Sequence, residues 1–320
     1  MRALVLKEWR QLEAMEADWR SLWQADPRAT PFQSPEWMGA WWPVFGSGEL
    51  LAITVWKEEQ LQTMGLFFLH LWEGRRQVTF VGNGVSDRQL CLVRPGVERE
   101  ALGCLWQALD QHGGWDLCDL QDIPSDAAML ALAANPAVPQ YPGRAICLGD
   151  SWQDYHAALP HGLRRNLDRY RRQLEQAATV EFLRLPVPEG MHALFALHGT
   201  RWQQKDGTAG MFSGHDLQRF HLDAACRLGS RVRMNALLVN GQVAGVNYLL
   251  LDGDTAYGYA CGFHPQWARY SPGTLLLGWG LERAMMEGMR RFDFLRGDEP
   301  YKSQWGASPY QTMRLQLWPK

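Results

Sequence analysis

The run from Tyr257 to Trp305, YGYACGFHPQWARYSPGTLLLGWGLERAMMEGMRRFDFLRGDEPYKSQW, restricts the fold more than any other part of the chain. It reads as a strand, a loop, a helix opening at Ser271-Pro272-Gly273, and a second strand that runs into a polar turn. Serine before proline is the residue pair expected at an N-cap and first helical position. A strand that feeds such a helix gathers unpartnered N–H groups and the positive end of the helix dipole at one point, where an anionic group is stabilised. The rest of the chain repeats this unit or covers it.

Composition narrows the partners. With 320 residues, 46% of them hydrophobic, the chain can build one large core or two of ordinary size. Its 32 basic and 34 acidic side chains leave a net charge of -2, so it lacks the positive field of a dedicated nucleic-acid binder, and any such partner needs a local patch. Six cysteines, Cys91, Cys104, Cys118, Cys147, Cys226 and Cys261, are scattered without a C-x-x-C pair and are expected as reduced, buried thiols. The first residues, MRALVLKEWRQLEAME, turn charged too soon for a signal-peptide core, and no run reaches membrane-spanning length. A cytoplasmic protein without a transmembrane segment is expected. The 16 tryptophans are assigned mainly to core packing.

Along the chain, Leu12, Met15, Trp19, Leu22 and Trp23 recur with helical spacing and predict an amphipathic helix within residues 3–24. Ser34 and Pro35 open a short aromatic helix that Pro43 should end. Leu50 to Trp56 and Leu61 to Leu71 read as a hairpin, Gln77 to Val81 and Gln89 to Val93 as strands, and Leu102, Leu105, Trp106 and Leu109 as the stripe of a helix stopped by Gly113-Gly114. Trp115 to Leu120 is a further strand, and Pro124 to about Asn135 a helix. From Ser151 the pattern restarts. Leu163, Leu167, Tyr170 and Leu174 share one face of a helix over 161–177 whose other faces carry five arginines, and further helices fall at 188–204 and 215–228. Strands follow at Arg231 to Val239 and Val243 to Leu251, joined by Asn240-Gly241, a strong hairpin signal. Thr255 to Phe263 and Met313 to Leu317 are the remaining strands.

The halves resemble each other. Pro95 and Pro272, each before a helix, lie 177 residues apart, as do Asp116 and Asp293 in the strands that follow. A duplicated α/β unit accounts for both, with halves at 1–150 and 151–320.

Several chemistries are excluded by missing motifs. The chain has no G-x-x-x-x-G-K-[ST], no G-x-G-x-x-G, no G-x-S-x-G and no H-E-x-x-H. His192/His198 and His215/His221 are spaced by six, which turns the two side chains of each pair apart on a helix, so no metal site is expected.

Read together, PFQSPEWMGAWW, Leu163-Arg164-Arg165-Asn166-Leu167, Arg201-Trp202, Val239-Asn240-Gly241-Gln242-Val243-Ala244, Tyr270-Ser271-Pro272-Gly273 and Asp293-Phe294-Leu295-Arg296-Gly297 with Tyr301-Lys302 and Trp305 form an ordered set. This set resembles the GNAT-superfamily acyltransferases of the CelD-like, cellulose-biosynthesis type, which are related to the FemAB peptidyltransferases. The resemblance implies an α/β, tandem GNAT-like fold with two mixed sheets flanked by helices. It also implies acyl-CoA (acetyl-CoA) between two splayed strands, with its pyrophosphate at the helix from Pro272. The second half would carry this site and the first would be degenerate. Ser271 as cap, Pro272, Gly273, Thr274 and Arg296 are the donor-binding candidates. Pro272 departs from the usual loop of two spaced glycines and removes one N–H.

In such enzymes an amine attacks the thioester, so the protein must remove a proton, hold the carbonyl oxygen and supply an acid to the leaving thiolate. Asp293 is the candidate base, Tyr259 the candidate acid, and Lys302, with Arg296, a candidate for an anionic group of donor or acceptor. His264 and Glu299 lie nearby. Asp293 also reads as a turn cap, Tyr259 as packing, and Lys302 as a solvated cation. The expected activity is acyl transfer, specifically N-acetyl transfer, to an amine or hydroxyl on a small molecule, sugar or envelope-polysaccharide precursor. The rivals are a transferase fed by aminoacyl-tRNA, docked on Arg165, Arg169 and Arg172, and a non-catalytic accessory protein of polysaccharide export.

Overall fold

The structure is a computed structural model; it describes residues 1–206, 212 and 214–319, and side chains outside 200–206. Two units divide the chain: Met1–Pro142 with Gln311–Lys320, and Gly143–Tyr310.

The first unit begins with a strand where helical spacing predicts a helix. β1 (Arg2–Leu6) pairs antiparallel with β2 (Glu49–Lys57), from Arg2↔Trp56 to Leu6↔Ala52. The Ala-Leu-Val-Leu run satisfies an edge of β2 that would otherwise stay open. The helix that follows is split at Met15 (φ -111, ψ 22) into α1 (Trp9–Ala14) and α2 (Glu16–Ala25). Ser34 caps α3 (Pro35–Phe45) by accepting from Trp37 N at 3.2 Å. Pro43 lies inside this helix instead of ending it. Near the C-terminus it removes only one bond of the ladder, and Gly46 N still donates to Trp42 O at 2.9 Å. Trp19, Trp23 and Trp37 are buried, their indole N–H groups donating to Gln33 O, Thr30 O and Ser86 Oγ.

β2 and β3 (Gln60–Trp72) form the expected hairpin, and β3 pairs on with β4 (Arg75–Phe80). The strand expected over Gln89 to Val93 shrinks to β5 (Leu92–Val93), pairing β3. A crossover through α4 (Glu98–His112) brings in β6 (Leu117–Pro124), parallel to β4 over two pairs, Gln77↔Leu117 and Val78↔Cys118. The helix expected from Pro124 shrinks to α5 (Ala128–Ala131), because β6 extends to Pro124 and a turn follows, with Ala127 N donating to Pro124 O at 2.9 Å. β7 (Val138–Cys147) runs from the first unit into the second.

The second unit opens with α6 (Trp152–Ala158), α7 (His161–Ala177), β8 (Val180–Leu185), α8 (Val187–Asp206) and α9 (His215–Leu228). β9 (Val232–Val239) and β10 (Gln242–Asp252) turn at Asn240 (φ 52) and Gly241 (φ 74), the left-handed pair that a two-residue hairpin needs. β11 (Thr255–Phe263), α10 (Pro272–Met286), β12 (Arg291–Arg296) and α11 (Pro300–Gln304) complete the unit, and β13 (Ser308–Leu317) returns to the first, where it pairs with β6. Within the second unit the strands lie in the order β7, β12, β11, β10, β9, β8. α8 and α10 cover opposite faces: a Cβ on Gly190 of α8 would meet Met234, and one on Gly280 of α10 would meet its strand neighbour Asn235. Leu163, Leu167 and Leu174 of α7 join α10 in one core with Leu276, Leu281, Phe292 and Trp305.

Two expectations about single residues change. Cys147 and Cys226 are exposed, not buried. Asp116 and Asp293 are not equivalent: Asp116 precedes β6, whereas Asp293 lies within β12, paired with Tyr257. Among the described residues no helix is long and apolar enough to cross a membrane.

Candidate active site

The site starts from a ladder that stops. β11 and β12 run parallel over only three pairs, Thr255↔Arg291, Ala256↔Phe292 and Tyr257↔Asp293, while β11 continues to Phe263 and β12 to Arg296. Gly258 stands just beyond the last pair, where a Cβ would come within 3.0 Å of the Phe292 ring. On its other edge β11 carries a bulge. Tyr248 faces Ala260 and Leu249 faces Gly258, so Tyr259 is the extra residue. The bulge turns Tyr259 toward α9, with its ring 5.0 Å from His221 and its hydroxyl 3.4 Å from Nε2.

After β11, a short 3-10 turn at Pro265–Tyr270 leads to Ser271, which adopts φ 48, ψ 57 and starts α10 from a left-handed conformation. That geometry corrects the expected cap: the Ser271 side chain makes no capping bond, and its carbonyl instead takes Thr274 N at 2.9 Å and Leu275 N at 3.1 Å. Pro272 supplies no N–H, which leaves Gly273 as the first-turn amide outside those bonds. A Cβ at Gly273 would sit 3.5 Å from Phe263 and 3.9 Å from Cys261, ordinary contact distances, so the start of α10 packs against the face of β11 that carries those two residues. The residues fit an anionic group held by Gly273 N–H and the Thr274 hydroxyl, with fewer backbone donors than a glycine-rich loop offers.

The other candidates hold the turn after β12. Asp293 is buried, and its Oδ1 accepts from Leu295 N at 2.9 Å and Tyr310 OH at 2.8 Å. Those bonds hold Leu295 at φ 59 in the bulge of β12. Lys302 is 2% exposed; its Nζ donates to Arg296 O at 2.7 Å and Gly297 O at 3.1 Å and pairs with Glu299 at 2.8 Å. Arg144 joins from β7, donating to Ala307 O at 3.0 Å and pairing with Asp298. His264 is exposed, its Nδ1 accepting from Gln266 N at 3.3 Å. The side chains of Arg201 and Trp202 lie outside the described residues. The sequence shows His221 only as half of a histidine pair unsuited to a metal, and gives no signal for Tyr310 or Arg144. His221 had a helical address but no motif; only the register of three elements brings it to Tyr259.

Burial pushes His221 down to about 3. The folded value lies below the unfolded 6.5, so the unfolded chain takes the proton first, and this term removes stability as pH falls from about 6.5 toward 3. His221→Phe should therefore flatten the acid side of a urea-denaturation series by about 1.4 kcal/mol per pH unit between about pH 6 and 4. An unchanged slope would show that His221 titrates alike in both states.

Residues 161–303 match the family model for an acetyltransferase (GNAT) domain. No curated protein sequence matches the chain. Among solved structures it is similar to FemX, at 10% identity over 99% of this chain and 98% of that one, with a TM-score of 0.69. The C-terminal domain of a proposed lysylphosphatidylglycerol synthetase from Agrobacterium fabrum aligns at 11% identity over 94% and 90%, TM-score 0.60. A tandem GNAT protein from the clavulanic acid biosynthesis pathway aligns at 15% identity over 99% and 98%, TM-score 0.52. At such identities the likeness speaks for the fold. The fold is mixed α/β, with a GNAT domain matched over residues 161–303 and tandem GNAT-like structural neighbours, as the sequence led one to expect.

Proposed function

We propose that the chain transfers an acyl group, with acetyl the simplest case, from acyl-CoA to an amine or hydroxyl acceptor, and that the donor site is the opening between β11 and β12 with the N-terminus of α10. The observation that carries this reading is the three-pair ladder: it ends at Tyr257↔Asp293, one residue before Gly258, while β11 runs on to Phe263 and β12 to Arg296 without pairing each other further. Gly273 N–H and Thr274 would hold the pyrophosphate. When the amine attacks, the N–C bond forms, the C–S bond breaks, the amine gives up a proton and the sulfur takes one. Tyr259, at the bulge, is the acid in this scheme; Asp293 and Lys302 keep the turn after β12 in place. A sugar or envelope-polysaccharide acceptor rests only on the resemblance of the sequence to the CelD-like type.

The first unit supports a single donor site. Its parallel ladder also ends early, at Val78↔Cys118, but there Gln89 N donates to Asp122 O at 2.8 Å and Trp37 holds Ser86, so the chain's own loop lies against β6 beyond the ladder. One acyl-CoA per chain is the expected stoichiometry in titration calorimetry; two equal sites would remove the case for a degenerate first half.

The main test is a thermal-shift screen of acyl-CoAs on the wild type and Gly273→Trp. Binding to the folded form alone raises the melting temperature of the wild type, and an indole beside Phe263 should abolish the rise. Equal stabilisation of both proteins would place the donor elsewhere. A second reading, a donor carried on tRNA, is favoured by Arg165, Arg169 and Arg172, which lie exposed along α7. Steeply salt-dependent tRNA binding without acyl-CoA stabilisation would select it. Failure of both ligands favours a non-catalytic binding role.

A further inference from the structure

Resting on the acyl transfer proposed above, we propose that His221 is a positioning residue for Tyr259: its Nε2–H donates to the phenolic oxygen, so that the hydroxyl hydrogen is left for the departing thiolate.

The argument begins with the bulge. Without the extra residue in β11, Tyr259 would alternate onto the face that Cys261 and Phe263 share with Gly273 of α10. The bulge re-aims it to the α8 and α9 face, where its oxygen meets His221 Nε2 at 3.4 Å. Packing fixes the imidazole. His221 is 0% exposed, with Phe212 5.1 Å and Phe220 4.7 Å away, ring to ring. Among the described residues, titratable groups around the pair include Tyr248 on β10, 5.4 Å from Tyr259 and 6.2 Å from His221, His198 on α8 across Phe212, and Cys226 on α9. Because burial holds the imidazole neutral, it has a single N–H, and the choice of nitrogen decides the chemistry.

With the hydrogen on Nε2, the phenol oxygen accepts and its own hydrogen points away from His221. As the C–S bond breaks, the sulfur takes the bonding pair and then this proton; the phenolate left on Tyr259 is stabilised by the bond from Nε2–H, and the proton surrendered by the attacking amine restores the phenol. With the hydrogen on Nδ1 instead, Tyr259 would donate to Nε2 and its proton would be committed to His221. The positioning role therefore requires the Nε2–H tautomer.

Two measurements on the ligand-free protein decide it. Nitrogen-15 chemical shifts of His221 should show a protonated Nε2 and a bare Nδ1 at neutral pH; the opposite pattern overturns the proposal without any substitution. Tyr259 ionisation, followed by fluorine NMR of 3-fluorotyrosine-labelled protein with Tyr259→Phe identifying the resonance, should move up by about one pH unit or more in His221→Phe, because the phenolate loses its donor. His221→Gln, whose amide reaches the same place, should restore the lower value, while the shorter His221→Asn should not. If His221→Phe does not fold, the contrast between the Gln and Asn variants carries the test. A Tyr259 titration that is the same in all folded variants sinks the idea. Because neither measurement involves coenzyme A, a failed donor screen and a failed positioning role are read separately.

Discussion

Asp293→Ala is expected to destabilise the second unit by about 3–5 kcal/mol, since two donors now bonded to one buried carboxylate oxygen lose their acceptor together. Leu295 N and Tyr310 OH both end on Oδ1. Leu295 also sits at φ 59, a conformation that costs a β-strand leucine roughly 1–2 kcal/mol and persists only while its surroundings impose it. Alanine removes that constraint, so the turn after β12, on which Lys302 and Glu299 depend, should relax as well. Asp293→Asn keeps an acceptor at Oδ1 and is expected to cost about a third as much. Urea denaturation followed by far-UV circular dichroism measures both. If Asp293→Ala unfolds with the wild type, the carboxylate does not hold the bulge; if Asp293→Asn folds normally but loses acyl transfer, the carboxylate also serves as the base.

How much of this was legible in the sequence depends on whether a feature is set locally. The Asn240-Gly241 turn, the strand Thr255 to Phe263 and the helix from Pro272 depend on residues a few positions apart, and the structure has them where the pattern puts them. β1 and β8 did not show, because segments of five or six residues such as RALVL and VEFLRL are too short to carry a distinctive period and become strands only when β2 or β9 offers an edge. Tyr259 was identified as a residue but not by its direction, which the one-residue bulge against β10 sets. Ser271 shows the converse: the Ser-Pro pair marks the helix start correctly, but the left-handed backbone at Ser271 leaves its hydroxyl without the capping bond the pair suggests. The repeat at spacing 177 is a similar case. The two halves place their left-handed bulge residues at Asp122 and Leu295, which are 173 apart, so counting from the prolines misaligns the aspartates by four.

In the first unit the largest single effect should come from Arg314→Ala. Arg314 approaches Asp119 with two nitrogens, Nε at 2.6 Å and Nη2 at 2.8 Å, and joins the end of β13 to β6. Asp119 is 2% exposed, with Gln121 Nε2 at 2.9 Å as a further donor. Removing the arginine strands a buried carboxylate on one amide, a loss of about 3 kcal/mol, below the upper range for buried pairs because the guanidinium side of this pair is 39% exposed. Arg314→Lys should recover only part of that, since an ammonium offers no planar fork to both carboxylate oxygens. Replacing both partners, Asp119→Leu with Arg314→Leu, should come closer to the wild type than Arg314→Ala alone, because no charge is then left buried. Hydrogen exchange locates the effect: amides of Met313 to Leu317 and their partners in Cys118 to Ile123 should exchange faster in Arg314→Ala, while those of β9 and β10 stay as they are. Unchanged exchange in β13 would mean that the backbone ladder alone holds the strand and that the ion pair is incidental to it.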